Sequence, residues 1–270
     1  MLSVYLDKGE KSDTKLQDGD AVLCVAATIY KAVPYKQFVR PWNQMLRKWE
    51  AKAFHATDFY NGCGEFERRR SGRESLFQKD SRRIPALIGR HVHRVVVTAF
   101  RPKEFAERAS PYWRKNFGIE THSIAVQLLL FNLGFWRRRE CPSQEFKCFY
   151  ESGDIGEADV AMAVRRLKAM PAIADILRVT SFDPIDKGRA RGLEASDFVA
   201  WHWNKHFLDR VKLGDKTLRK DFAAFIKSTE NRVTHGLVSG EKLTEFFRTC
   251  EPLWKDIGVS VHANRRRQLP

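Results

Sequence analysis

Asp197 lies inside a mostly apolar run, Arg191-Gly192-Leu193-Glu194-Ala195-Ser196-Asp197-Phe198-Val199-Ala200-Trp201-His202-Trp203-Asn204. A carboxylate in such surroundings costs free energy unless something pairs with it, and a divalent cation is one such partner. Glu194 stands one turn earlier, so on a helix both acids project from nearly the same face. Acids in a first turn also complement the helix dipole, and the pair taken alone is open to that reading. Two further acids end hydrophobic runs. Leu2-Ser3-Val4-Tyr5-Leu6 leads into Asp7, and Phe146-Lys147-Cys148-Phe149-Tyr150 leads into Glu151, with Asp154 close behind. Strand ends converge on a crevice in α/β folds, which is where such folds build sites. A strand-ending acid also commonly begins a turn. Asp7, Glu151 and Asp197 together are more specific than any one of them.

The elements that must position these acids follow from periodicity and turn residues. Ser3 to Asp7 and Ala21 to Tyr30 read as strands, and Tyr35 to Ala51 repeats apolar residues at helical spacing. Ala53 to Phe59 reads as a short extended piece ending in a turn. Ser71 to Arg90 reads as a helix carrying Pro85, and His93 to Phe100 as a strand. Pro102 to Asn116 is a polar, partly helical connection, followed by an apolar helix from Ile119 to Arg139. Then come a strand at Phe146 to Tyr150, a helix at Glu157 to Met170, a strand at Leu177 to Phe182, a loop at Asp183 to Gly188 and a helix from Gly192. Early strands without a helix between them imply antiparallel pairing, and later strand-helix alternation implies parallel crossovers. The expected fold is α/β, a mixed sheet with helices on both faces and a helical insertion after strand two. Residues 1–210 are expected to form this domain, 211–263 a helical extension packed on it with a strand-like stretch near Leu237 and Val238, and 264–270 a basic tail.

Composition sets the outer limits. The chain carries 48 Lys and Arg against 33 Asp and Glu, a net charge of +15, which makes nucleic acid a candidate partner. Arginines cluster at Arg68, Arg69 and Arg70, and again at Arg137, Arg138 and Arg139; a solvated surface is the plain alternative. The longest apolar stretch, Ile124 to Trp136, is too short and too polar to span a bilayer, so no membrane partner is expected. The N-terminus has no signal-peptide pattern, and the five cysteines form no Cys-x-x-Cys pair. The expectation is a cytoplasmic protein with reduced thiols.

The order of elements and the acids they carry resemble a ribonuclease H-like fold. In detail the chain resembles the bacterial domain of unknown function 3800 family, which is assigned to that fold. The resemblance covers roughly residues 1–210 and rests on Leu6-Asp7-Lys8-Gly9, Phe54-His55-Ala56-Thr57-Asp58 and Leu193-Glu194-Ala195-Ser196-Asp197. There are departures. Lys8 stands where the family pattern has an acid, Glu194 replaces a Gln, and Glu151 stands where many members have Asp.

The resemblance implies a nuclease that hydrolyses phosphodiester bonds with two divalent ions, Mg²⁺ or Mn²⁺, held by carboxylates. Asp7, Glu151 and Asp197 would then be the catalytic ligands, with Asp154, Asp58 and Glu194 as further metal-ligand candidates. His55 would move a proton or position a phosphate, since an imidazole titrates near neutrality. Lys8 would contact the scissile phosphate, or would sit among the acids and replace the metal charge. Two rival classes stand beside the nuclease. One is a non-catalytic nucleic-acid-binding or scaffold protein with a degenerate site, a reading that Lys8 favours. The other is a nucleotide phosphohydrolase using the same metal site on a small substrate.

Overall fold

The first hydrophobic run forms strand β1 (Leu2–Lys8), whose alternation divides it between two cores. Leu2, Val4 and Leu6 enter one core, and Tyr5 enters the other. Strand β2 (Leu23–Tyr30) pairs antiparallel with β1 and is buried throughout, as a strand covered on both faces must be. In the computed structural model β1 and β2 are the centre of a six-stranded mixed sheet of order β5-β4-β1-β2-β3-β6. Strands β3 (Arg94–Phe100), β4 (Phe146–Glu151), β5 (Val179–Ile185) and β6 (Val233–Val238) complete it. The pairs β1–β4, β4–β5 and β3–β6 are parallel, while β2–β3 is antiparallel. The structure describes residues 1–9, 21–69, 74–109, 121–153, 157–214, 217–245 and 248.

Helices cover both faces. On one side lie α5 (Thr121–Glu140), α6 (Glu157–Ala169) and α7 (Pro171–Leu177), whose apolar residues share a core with Leu2, Val4 and Leu6. On the other lie α1 (Ala32–Lys48), α2 (Ala56–Asn61), α3 (Glu74–His91), α8 (Arg191–Leu213) and α9 (Lys220–Thr229). A short helix, α4 (Pro102–Arg108), follows β3. The fold is thus α/β, a mixed sheet flanked by helices and consistent with a ribonuclease H-like arrangement, with α1 to α3 inserted between β2 and β3. No described helix is long and apolar enough to cross a membrane. Cys24, Cys63, Cys141 and Cys148 are free thiols.

Three local readings differ from the sequence expectation. The piece read as extended at 53–59 turns helical at Ala56. His55 keeps an extended backbone, α2 buries Ala56 and Phe59, and Gly62 closes it in the left-handed region at φ 63°. Six residues are too few for a periodic signal. Leu177, read as the start of a strand, ends α7; Pro171 both stops α6 and opens α7, because its fixed φ suits a first helical position. The segment after residue 210, read as a helical extension with a strand-like stretch near Leu237 and Val238, supplies α9 and an edge strand β6 that starts earlier, at Val233. The tail at 264–270 lies outside the described residues.

The contact that sets α8 against the sheet is the close approach of Gly192 to Tyr5. A methyl group at residue 192 would fall 2.2 Å from the Tyr5 ring. That ring cannot retreat, because Tyr35 and Phe149 stack on it with centroids 5.1 Å away on each side. Gly192→Ala should therefore lower stability by about 1–3 kcal/mol, the usual cost of overpacking. Urea denaturation measures it, and an unchanged midpoint would show that α8 can slide on β1.

Candidate functional site

Two helix–sheet attachments fix the position of Asp197. Ser196 Oγ donates to Tyr5 O at 2.7 Å and lies 2.8 Å from Thr28 Oγ1, while Thr28 Oγ1 donates to Gly192 O at 3.1 Å. This buried hydroxyl pair binds α8 to β1 and β2. One turn back, Glu194 is fully buried, accepts a hydrogen bond from Trp42 Nε1 at 2.5 Å and pairs with the Arg191 guanidinium. Burial pushes the Glu194 carboxyl up to about 7, against the pull of Arg191 and Trp42. Glu194 thus ties α1 to α8. This corrects its place among the metal-ligand candidates, since its carboxylate is committed to structural partners.

Asp7, Glu151 and Asp197 do come together, and the group they share is the ammonium of Lys187. Lys187 Nζ lies 2.8 Å from Asp7 Oδ2, 3.1 Å from Glu151 Oε2 and 3.1 Å from Asp197 Oδ2. Asp7 and Glu151 meet because β1 and β4 are parallel neighbours with Leu6 opposite Tyr150, so both acids leave the same end of the sheet. Asp197 reaches the same point from α8. Lys187 enters from the 3₁₀ turn Lys187–Arg189 that connects β5 to α8, and it is 5% exposed.

Two of the acids have a further partner. Asp7 Oδ1 accepts the Lys8 backbone N–H at 2.7 Å, and Asp197 Oδ2 accepts the Ala56 N–H at 3.0 Å. His55 Nδ1 stands 4.0 Å from Asp197 Oδ2, with the ring partly open to solvent.

The electrostatics of this cluster are unbalanced. Burial raises the Asp7 carboxyl to about 8; Lys187 opposes the shift, and Asp197 and Glu151 add to it. Burial disfavours the charge on Lys187, yet Asp197, Asp7 and Glu151 outweigh it and hold the ammonium well above its ordinary range. Were all three carboxylates ionised, one ammonium would leave two negative charges uncompensated, and the raised Asp7 carboxyl is the fold's partial answer. Among the described residues, no group of three or more His, Cys, Asp or Glu side chains is arranged to hold a metal ion as it stands. The point shared by the three acids is filled by Nζ.

The other expected residues separate. Lys8 is half-buried and lines a solvent-open cleft of about 340 Å³ with Asp7, His122, Tyr150, Glu151 and Glu157. The expectation that Lys8 would be the ammonium among the acids is corrected: Lys187 holds that place. Sequence reading missed Lys187 because it stands in Asp183-Pro184-Ile185-Asp186-Lys187-Gly188, which has the composition of an ordinary turn. Asp58 accepts from Cys63 Sγ at 3.4 Å beside the turn at Gly62 and Gly64, and is not one of the acids around Lys187.

Arg137 is also corrected as a nucleic-acid contact. It is 3% exposed, and its guanidinium donates to the carbonyls of Pro142, Asp175 and Ile176. Arg138 and Arg139 are exposed but close α5, at the end of the sheet where β4 begins; the acids lie where β4 ends. Asp154, Glu10, Arg68, Arg69 and Arg70 fall outside the side chains described. No family model matches the chain, and no curated protein does.

Replacing Lys187 with Met keeps the volume and removes the charge. It leaves the buried Asp7 and Asp197 and the partly buried Glu151 without their cation, a loss of about 3–5 kcal/mol for a broken buried pair. The sign with pH follows from Asp7. A carboxyl whose folded pKa is raised destabilises the fold as pH climbs from its unfolded value to about 8, and without Lys187 the burden grows. Lys187→Met should therefore lower Tm strongly at pH 8 and much less at pH 5. Equal losses at both pH values would mean that the stem of Lys187, not its charge, holds the site.

Proposed function

We propose that the chain is a cytoplasmic, divalent-metal-dependent nuclease that hydrolyses phosphodiester bonds at the Asp7–Glu151–Asp197 cluster. The observation that carries this reading is the convergence of three carboxylates, from distant parts of the sequence, on one cation position at the ends of parallel strands. The charge balance supports it, because three acids outnumber the single ammonium they share and a divalent ion brings more positive charge to that point than the ammonium does. Oxygen-only donors suit Mg²⁺ or Mn²⁺. Asp7, Glu151 and Asp197 would hold the ion, which would polarise a phosphoryl oxygen and acidify a bound water. This is also the chemistry implied by the resemblance to the domain of unknown function 3800 family.

The chain's own residues have defined tasks in this reading. Lys187 leaves the shared point and remains within reach of a phosphate, where its ammonium stabilises charge that develops on the phosphoryl oxygens. His55, beside Asp197 and open to solvent, carries a proton to or from the reaction. The Ala56 N–H and the Ser196–Thr28 pair keep Asp197 in place.

A second reading is favoured by one observation: the ammonium already stands where a cation would. A scaffold with a degenerate site would keep Lys187 there permanently. Mn²⁺ titration by calorimetry separates the two. The nuclease reading expects Mn²⁺ binding by the wild type, at least tenfold weaker binding after Asp197→Asn, and tighter binding after Lys187→Met. Asp197→Asn should also abolish Mn²⁺-dependent cleavage of nucleic acid while the protein stays folded. Mn²⁺ binding by Lys187→Met alone would overturn the nuclease reading and leave the scaffold.

A further inference from the structure

The face of α8 that carries Asp197 continues away from the acids as a row of aromatic and cationic groups. Trp201 is four residues further and Lys205 eight, so they lie about 6 and 12 Å along the helix axis at ~1.5 Å per residue. Helix α2 runs beside α8 in the same direction. The Ala56 N–H bonds Asp197, and four residues later Tyr60 stacks on Trp201, with centroids 4.3 Å apart and planes 9° from parallel. Arg219, from the segment before α9, lays its guanidinium over both rings, 4.9 Å from the Trp201 centroid and 5.5 Å from that of Tyr60. Lys205 Nζ lies 6.0 Å from the Trp201 ring.

This platform is rigid from beneath. Tyr60 Oη lies 2.9 Å from His202 Nε2, and His202 is buried, stacked on Phe222 and 3.6 Å from Asp221. Trp201 is itself buried at 5% exposure, so its ring serves as a seat for Arg219 and is not open to solvent. Arg219 is exposed. A guanidinium held within cation–π distance of two stacked rings is pre-positioned and loses little freedom when it forks an oxyanion. Beyond it the surface stays basic, with Arg210, Lys212 and Lys220 all exposed.

We propose that Arg219, seated on the Tyr60–Trp201 pair, and Lys205 bind successive phosphates of a polynucleotide strand that runs from the acid cluster along α8. The row extends two helical turns beyond Asp197, further than a single nucleotide needs, so the substrate class is a polymer and not a mononucleotide. The assignment of the acids as the reacting centre rests on the nuclease reading; the strand-binding role of Arg219 and Lys205 is tested apart from it. It replaces the arginines of α5 as the nucleic-acid contact, since those lie at the other end of the sheet.

The test is fluorescence anisotropy with a labelled single-stranded oligonucleotide of about ten nucleotides, long enough to cover a backbone-tracking groove, in EDTA and over a series of salt concentrations. Arg219→Ala should weaken binding about five- to tenfold at low salt and flatten the log–log salt slope by about 0.7, one phosphate contact on a single strand. Arg139→Ala, on the far end of α5, should leave both unchanged. Thymidine monophosphate should compete poorly against wild type, and equally poorly against Arg219→Ala. Unchanged affinity and slope in Arg219→Ala, or no binding of the oligonucleotide by wild type, would overturn the proposal. Normal Arg219-dependent binding without any Mn²⁺-dependent cleavage would uphold the strand contact and overturn only the nuclease reading.

Discussion

A single buried ammonium holds five separate segments of this chain at one point. Lys187 draws in Asp7 from β1, Glu151 from β4 and Asp197 from α8, and Asp197 in turn caps the first N–H of α2. Asp7, the most deeply buried of the three, is disfavoured as a charge by its burial, and Lys187 opposes that shift. Removing one member of a buried, paired cluster typically costs several kcal/mol, because the charge left behind has lost its water as well. The attachments around the cluster serve the same end. Ser196 and Thr28 bind the helix to the central strands, and Glu194 with Arg191 and Trp42 binds it to α1. Between them Asp197 has little room to move.

The cluster is held together but is not neutral. One ammonium among three carboxylates leaves a deficit that the fold meets in part by disfavouring ionisation of Asp7. A proton on Asp7, a positive charge on His55 or a divalent ion in place of the ammonium would each reduce that deficit. A structural ion-pair network would more economically match charges one to one. Under the nuclease reading, that excess of negative charge at the carboxyl ends of parallel strands is the counterpart of a multivalent cation.

The sheet and its helices were legible because their signals are long. β2 is eight buried residues, apolar but for Thr28, and α5 and α8 repeat apolar residues over many turns. The acids were legible for a different reason: Asp7 and Glu151 end strands, and Asp197 interrupts an apolar helix. The partners were not. Lys187 sits in a segment whose Pro and Gly describe a turn equally well, and nothing local in a sequence says that a turn lysine will be buried. Glu194 shows the converse error. Its spacing from Asp197 placed both on one side of a helix, but three residues advance 300° and not a full turn. That difference is enough to aim one acid at the sheet ends and the other at Trp42. Linear density does not report direction either: within the cluster that closes α5, Arg137 turns inward to three backbone carbonyls while Arg138 and Arg139 stay exposed.

Under the nuclease reading, the ammonium at the cation point makes metal and substrate interdependent. An ion entering the cluster must displace Lys187, so its apparent affinity is lowered by the free energy of that displacement. A displaced ammonium close to three acids has no good partner until a phosphate arrives. The phosphate supplies that partner, and each ligand therefore strengthens the binding of the other, a coupling that is reciprocal by thermodynamic necessity. Lys187 would then do more than balance charge in the empty protein. It would keep a strongly negative pocket from collapsing or capturing ions without substrate, and it would give up its place only when a phosphodiester and a divalent ion arrive together.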